Sequence, residues 1–323
     1  MRALIGTALI GLALTGQGQV RAEDYPARPV VLMSPYAAGG GTDLLARLLS
    51  PRLEQRLGRP FVVEDKPGAA TAIAATAVAH AKPDGYTILL TTSTTMAINP
   101  AVSKELTYDV RDLTPVALVS HSPFVLVVNP DLPIHSVAEL IAYAKAHPGE
   151  LNYGSAGIGS FHHLSAEMLS RLAGIQMTHI PYKATPPALH DVVAGRVHLM
   201  FGDVTSTLPL VAGGKLRALG VSTAQRVASA PDIPPLAEVG LPGFNSSSWQ
   251  MVIAPAATPP SIVALLNRTF RDIVEEPAIR AEMGRRGLIP VATDPPDKLQ
   301  QFVKAEIVRW GELAKQAGIA ASQ

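Results

Sequence analysis

The sequence predicts an α/β fold, and three observations carry that prediction. Short apolar, β-branched runs alternate with leucine patterns at helical spacing. Several of the runs end in glycines or tight turns that open directly into the next element. A chain of 323 residues with 47% hydrophobic content can also build about two buried cores. Alternation of this kind implies helical layers around mostly parallel sheets.

Taken in order, the first residues read as an address. Arg2 gives a positive start, Ala3 to Leu14 is a nearly unbroken apolar run, and Val20-Arg21-Ala22 puts small residues where a signal peptidase reads them. Residues 1–22 are therefore expected to be a signal peptide, with a mature chain from Glu23. The run falls short of the ~20 apolar residues that span a bilayer.

Strands are expected at Val30 to Met33, Phe61 to Val63, Tyr86 to Thr91, Val116 to Val119, Val125 to Val128, Leu151 to Tyr153, Val197 to Phe201, Leu216 to Val221 and Met251 to Ala254. Leu44, Leu45, Leu48, Leu49, Leu53 and Leu57 share a helix face, which Pro51 is expected to kink or split. Pro83-Asp84-Gly85 is a turn in which proline presets φ and glycine takes a positive φ. A second helix opens at Ser136 with Glu139 as a capping box and closes at Pro148-Gly149. From Ser261 to Gly318 the pattern is helical with one break near Ile289, a return to the first domain.

Composition excludes several classes. A net charge of +1, 16% charged residues and 5% aromatics provide no basic face or stacking platform for nucleic acid. The chain has no cysteine, so disulfides, thiolate metal sites, cysteine nucleophiles and a bacterial lipid anchor are all excluded. A protein outside the cytosol follows, periplasmic if the cell is Gram-negative.

Two stretches stand out. In "PYAAGGGTDLLARLL" an apolar strand runs through Gly39, Gly40, Gly41 and Thr42 into a helix; in "LNYGSAGIGSFHHLSAEML" a short strand runs through Gly154, Ser155, Gly157, Gly159 and Ser160 into another. The first N–H groups of such helices lack intrahelical partners and lie at the positive end of the helix dipole. That makes an anion site without a charged side chain, and glycine admits the close approach. Plain connector turns remain the alternative for either loop taken alone.

Other chemistries fail on spacing. Neither loop is G-x-G-x-x-G, and no Walker lysine follows. Ser155 lacks the first glycine of a nucleophile elbow. His162, His163, His179, His190 and His198 form no metal spacing, so no metal and no cofactor are expected. Asp43 reads as a residue complementing its helix dipole, and Lys183 as an exposed lysine or an anion contact. Asp203, just past an apolar strand, is expected to line a cleft, since ligands of open α/β sheets bind at the carboxyl ends of strands. Tyr36 and Tyr182 offer an aromatic wall with a hydroxyl at its edge, and Trp249 is open to a packing role.

At this point the mature chain resembles the Bug-type extracytoplasmic receptors of tripartite tricarboxylate transporters. The matching blocks are "YPARPVVLMSPYAAGGGTDLLARLL", "AKPDGYTILLTTSTTMAINP", "LTYDVRDLTPVALVSHSPFVLVVNP", "LNYGSAGIGSFHHLSAEML", "IPYKATPPALHDVVAGRVHLMF", "GKLRALGVSTAQR" and "PPLAEVGLPGF". The resemblance implies a two-lobed Venus-flytrap fold whose lobes are joined by strands crossing near Ser120 to Phe124 and Asn245 to Val252. Lobe 1 would be residues 23–122 plus 250–323, and lobe 2 residues 123–249. It implies a monomeric periplasmic receptor, not an enzyme, that binds a small carboxylate through backbone amides and water, then delivers it to membrane transporter subunits. By that resemblance the first loop contributes Tyr36, Ala38, Gly39, Gly40 and Thr42, the second Gly157, Gly159, Ser160 and His163, and a third loop Ser93 and Thr94.

The chain departs from the family at three places. Phe201-Gly202-Asp203 displaces an acidic group by one position, "PGAATAIAATAVA" from Pro67 lacks the usual glycines, and Ala184 follows Tyr182-Lys183 where a glycine is common. Two rival functions stay open: a receptor for a neutral or amine-bearing molecule partnered by Asp203, and a secreted serine hydrolase using a cleft serine such as Ser160 with His163.

Overall fold

The computed structural model describes residues 25–39, 41–183, 185–316 and 318–320. The expected signal peptide, Gly40 and Ala184 lie outside the described residues. The strands are β1 (Val30–Ser34), β2 (Phe61–Asp65), β3 (Thr87–Thr92), β4 (Leu113–Ser122), β5 (Phe124–Val128), β6 (Asn152–Ser155), β7 (Thr178–Pro181), β8 (Leu199–Asp203), β9 (Arg217–Val221), β10 (Ser248–Pro255) and β11 (Ile289–Pro290). They form two sheets, in the orders β11-β4-β10-β3-β1-β2 and β7-β6-β8-β5-β9.

The sheets are mixed rather than mostly parallel. β1 runs parallel to β2 and β3, and β6 to β7 and β8, but β4, β10 and β5 run antiparallel to their neighbours. The reason is connectivity. The chain leaves the first sheet along β4, enters the second along β5 after Pro123, and returns along β10, so β5 and β10 oppose the βαβ strands beside them, β8 and β3, and β4 opposes β10. Both crossings fall where expected.

Burial explains why the apolar runs became strands. Along β5, Phe124, Leu126 and Val128 enter one core while Val125 and Val127 enter another, the period-2 alternation of a strand buried on both faces. Helix α1 (Gly41–Leu57) buries Leu45, Ala46, Leu49 and Leu53 beside Val30 and Leu32 of β1. Pro51 sits inside this helix without splitting it. Its ring lies on the exposed face, where water can serve the carbonyl it leaves unpaired.

Helices α2 (Ala72–Ala79) and α3 (Asn99–Val102) flank β3, and α4 (Val137–Ala146) follows β5. Ser136 caps α4 by accepting the Glu139 amide, while the Glu139 carboxylate reaches back to the His135 amide at 2.6 Å. The second sheet is dressed by α5 (Phe161–Ala173), α6 (Thr185–Val193) and α7 (Val204–Ala212). The C-terminal region, α8 (Pro260–Glu275), α9 (Pro277–Arg285) and α10 (Pro296–Gln316), has a second break beyond the one expected near Ile289. Pro277 cannot donate a backbone hydrogen bond, so the helix ends before it and restarts with proline in its first turn. α8 packs on β4 and α1, returning the chain to the first sheet as expected.

The glycine-poor stretch after Pro67 is strained. Ala69, Ala70 and Thr71 all have positive φ, at +46°, +46° and +78°. Neighbours hold the segment: Asn99 Nδ2 donates to the Ala70 carbonyl at 2.8 Å, and Thr95 Oγ1 donates to Thr71 Oγ1 at 2.7 Å. Left-handed backbone costs an L-residue about 1–2 kcal/mol, more than the ~0.5–1 kcal/mol that glycine's unfolded-state freedom costs. Ala70→Gly is therefore expected to raise stability by about 0.5–1 kcal/mol. A lowered thermal midpoint would contradict this.

Candidate functional site

The carboxyl ends of β1, β3, β6 and β8 each lead into one of the sequence-predicted loops. The crossing strands bring the two sets of ends together. Thr92 at the end of β3 pairs with Gln250 of β10, and Gln250 pairs with Ser120 of β4. Two residues past Ser122, Phe124 opens β5 opposite Asp203 at the end of β8.

In the first loop, Ala38 and Gly39 are exposed and Thr42 is buried in the opening turn of α1. Gly39 takes φ +82°, and its amide donates to Asp43 Oδ2 at 2.7 Å. Asp43 is almost wholly buried and pairs with Arg47 at 2.7 Å, and Arg47 also reaches Asp65 at 3.0 Å. Asp43 thus fixes the loop as well as complementing the dipole. The Tyr36 hydroxyl lies 2.9 Å from Thr92 Oγ1, and burial raises its pKa.

The third loop continues as a π-helical turn, Thr94–Ile98. Ser93 and Thr94 are both buried, and Ser93 Oγ is 3.0 Å from Ser248 Oγ. Gln250, which sequence reasoning missed, ties this region together. Its Nε2 donates to Thr42 Oγ1 at 3.2 Å and its Oε1 accepts from Ser120 Oγ at 2.6 Å. Ser246, in the same crossing, lies 3.0 Å from Ser165 of α5. The polar residues of "NSSSWQ" before an otherwise apolar strand were the available signal.

In the second loop, Gly157 and Gly159 have φ of +119° and +72°. The Gly157 amide donates to Ser155 Oγ at 3.0 Å, and the Gly159 amide to His163 Nδ1 at 3.1 Å. The first turn of α5 therefore reaches back to its loop as Asp43 does to Gly39. Ser160 caps α5 by accepting the His163 amide at 3.4 Å. This is a structural cap, not a contact of the Ser160 hydroxyl with the imidazole. Ser155 Oγ instead lies 2.6 Å from His179 Nε2.

Behind the loop the His163 and His179 rings stack at 3.9 Å and 8°, with Tyr153 against His179 at 4.9 Å. Burial lowers the pKa of His163 to about 3, with repulsion from His179 adding, and lowers His179 to about 4. A neutral His163 is what its accepting Nδ1 requires. His162 is lowered by burial to about 4 against the opposing pull of Asp203; its Nε2 is 3.1 Å from Thr185 Oγ1, and its Nδ1 has no partner.

These shifts set a pH dependence. Below about pH 6.5 the unfolded chain protonates the three rings, while the folded chain holds them neutral until about pH 3–4. Stability is complete above pH 6.5 and is lost on acidification through that window, by up to about 1.4 kcal/mol per pH unit for each proton. The melting temperature is expected to fall between pH 7 and pH 5. An unchanged midpoint would show that these rings are not held neutral.

Two predicted residues have structural partners of their own. The Tyr182 hydroxyl donates to Asp191 Oδ2 at 2.7 Å, and burial with that carboxylate raises its pKa to about 12. Asp203 caps α7: Oδ1 accepts the Ser206 amide at 3.0 Å and Oδ2 the Ser206 hydroxyl at 2.7 Å. Among the described residues no group of three or more acidic or histidine side chains could hold a metal, and no helix is long and apolar enough to cross a membrane.

Residues 45–319 match the profile of the tripartite tricarboxylate transporter family receptor. The chain belongs to that receptor family. It is 36% identical to the BugT protein of Bordetella pertussis over 316 residues, covering 96% of this chain and 97% of BugT. Among solved structures it is similar to R. palustris Rpa4515 with adipate (TM-score 0.85, 39% identity, 92% of this chain and 99% of that one). It is also similar to MatC from Rhodopseudomonas palustris with bound malate (TM-score 0.79, 34% identity, 90% and 99%). The receptor is thus a two-lobed Venus-flytrap protein of the type II-like kind, a periplasmic solute-binding protein and not an enzyme. The hydrolase reading falls with that membership.

Proposed function

We propose that this receptor captures a small carboxylate-bearing metabolite between its lobes and delivers it to the membrane subunits of a tripartite tricarboxylate-type transporter. The observation that carries the reading is the pairing of two glycine loops, each opening a helix at the carboxyl end of a parallel strand, one in each sheet. The relatives with bound adipate and malate support a carboxylate. The ligand residues in this reading are Tyr36, Ala38, Gly39, Gly40, Thr42, Ser93, Thr94, Gly157, Gly159, Ser160, His163 and Tyr182. Lobe 1 comprises residues 23–122 plus 250–323 and lobe 2 residues 123–249. The receptor acts as a monomer exported by a cleaved signal peptide, residues 1–22.

Binding is differential between open and closed forms, so both loops contribute together. Asp203, with both oxygens bonded to Ser206, supports its helix and favours the carboxylate reading over an amine ligand. The test is thermal unfolding of ligand-stripped protein across carboxylates and their uncharged amides. A specific ligand at a hundredfold excess over Kd adds about 2.7 kcal/mol. A shift with carboxylates and none with their amides supports the reading, and a shift with amides or amines alone overturns it.

A further inference from the structure

The side chain at the tip of the second loop bears on which carboxylate is chosen, an inference that rests on the function proposed above. Ile158 is 45% exposed, a large apolar residue presented to solvent by a loop that otherwise holds glycine, alanine and serine. It stands between Gly157 and Gly159, whose positive φ values set the tip and whose amides are both bonded within the protein. The tip is therefore held from both sides.

The polar side chains of the loop are engaged within the protein, apart from the buried His162 Nδ1. Ser155 Oγ is shared between Gly157 and His179, Ser160 caps α5, His163 accepts from Gly159, and the Tyr182 hydroxyl is held by Asp191. On α1, which the first loop opens, Arg47 is taken up by Asp43 and Asp65. What the second loop adds beyond backbone is the sec-butyl group of an isoleucine.

We infer that Ile158 is a specificity-determining residue, selecting carboxylates whose carbon next to the carboxyl group is unsubstituted over the matching 2-hydroxy acids. A carboxylate seated on the Phe161 and His162 amides, the first of α5 and without intrahelical partners, brings its neighbouring carbon against Ile158. A methylene there gains apolar contact, whereas a hydroxyl loses its water without finding a partner. Discrimination against an added hydroxyl in an apolar environment is on the order of 10- to 100-fold.

The test is calorimetric titration of ligand-stripped protein with matched pairs: succinate and malate, glutarate and 2-hydroxyglutarate, adipate and 2-hydroxyadipate, hexanoate and 2-hydroxyhexanoate. The wild-type receptor is expected to favour the unsubstituted member of whichever pair it binds by roughly 10- to 100-fold. Ile158→Asn, a change at a position 45% exposed and expected to leave the melting temperature of the free protein within a degree or so, is expected to bring that ratio to within about threefold, losing affinity for the unsubstituted member. The same ratio in wild type and variant overturns the inference, as does a wild-type preference for the hydroxy acid. Binding of amides with no carboxylate of any pair overturns the carboxylate reading itself, a different outcome from an unaltered ratio.

Discussion

Glu306→Ala is expected to destabilise the receptor by about 3–5 kcal/mol, the scale for removing one partner of a buried, hydrogen-bonded charge. Glu306 lies on α10 and is 7% exposed. Its Oε2 accepts from both tryptophans of the chain, Trp249 Nε1 at 2.8 Å and Trp310 Nε1 at 2.9 Å, and its Oε1 accepts from Arg309 at 3.2 Å. Removing the carboxylate strands two buried indole N–H groups, each worth about 1–3 kcal/mol when unsatisfied, and leaves a cavity. Glu306→Gln keeps one acceptor and is expected to lose about half as much. Urea unfolding reads both; a loss below about 1 kcal/mol in the alanine variant would mean that the cluster is dispensable.

The cluster sits at the crossing. Trp249 lies on β10, Arg309 also donates to the Asn245 carbonyl where that crossing begins, and Trp310 meets Phe161, the first residue of α5, at 5.3 Å. Phe161 in turn stacks on Phe124 at the start of β5. The alanine variant should therefore alter tryptophan emission, since both indoles lose their acceptor.

Gly159→Val is expected to weaken carboxylate binding at least a hundredfold, about 2.7 kcal/mol, in the same titration. A β-branched side chain at φ +72° is a backbone outlier, so the loop must rearrange or hold considerable strain. Rearrangement would also break the bond from the Gly159 amide to His163. His163→Ala removes only that acceptor and some ring stacking, leaving glycine free to keep its conformation; a loss of about tenfold is expected. The reverse order would show that the ring, rather than the backbone, dominates recognition.

Much of the fold was legible because its strands are apolar on both faces, as in "FVLVV" and "MVIAP". β7, "THIP", was legible only as a short strand before Lys183, since it is a half-exposed edge strand with a proline at its end, and β11 escaped notice with only two residues. The glycine loops were visible as loops, but not their internal bonds. Asp43 and His163 each lie four residues beyond the glycine they hold, a spacing that ordinary helix positions share. Gln250 could be flagged as polar in an apolar strand, whereas its partners, Thr42 and Ser120, are 208 and 130 residues away. Nothing local encodes such partners.

The place of β10 in the first sheet has a consequence for biosynthesis. It fills the gap between β4 and β3, yet follows every strand of the second sheet in sequence. A chain emerging N-terminus first has β1 to β4 in hand while the centre of their sheet is still missing, leaving strand edges open to wrong pairings. The second sheet has all its strands once Val221 is out. The half of the molecule made first is thus the last that can close, and the nascent receptor is most in need of a chaperone until Pro255 has been added.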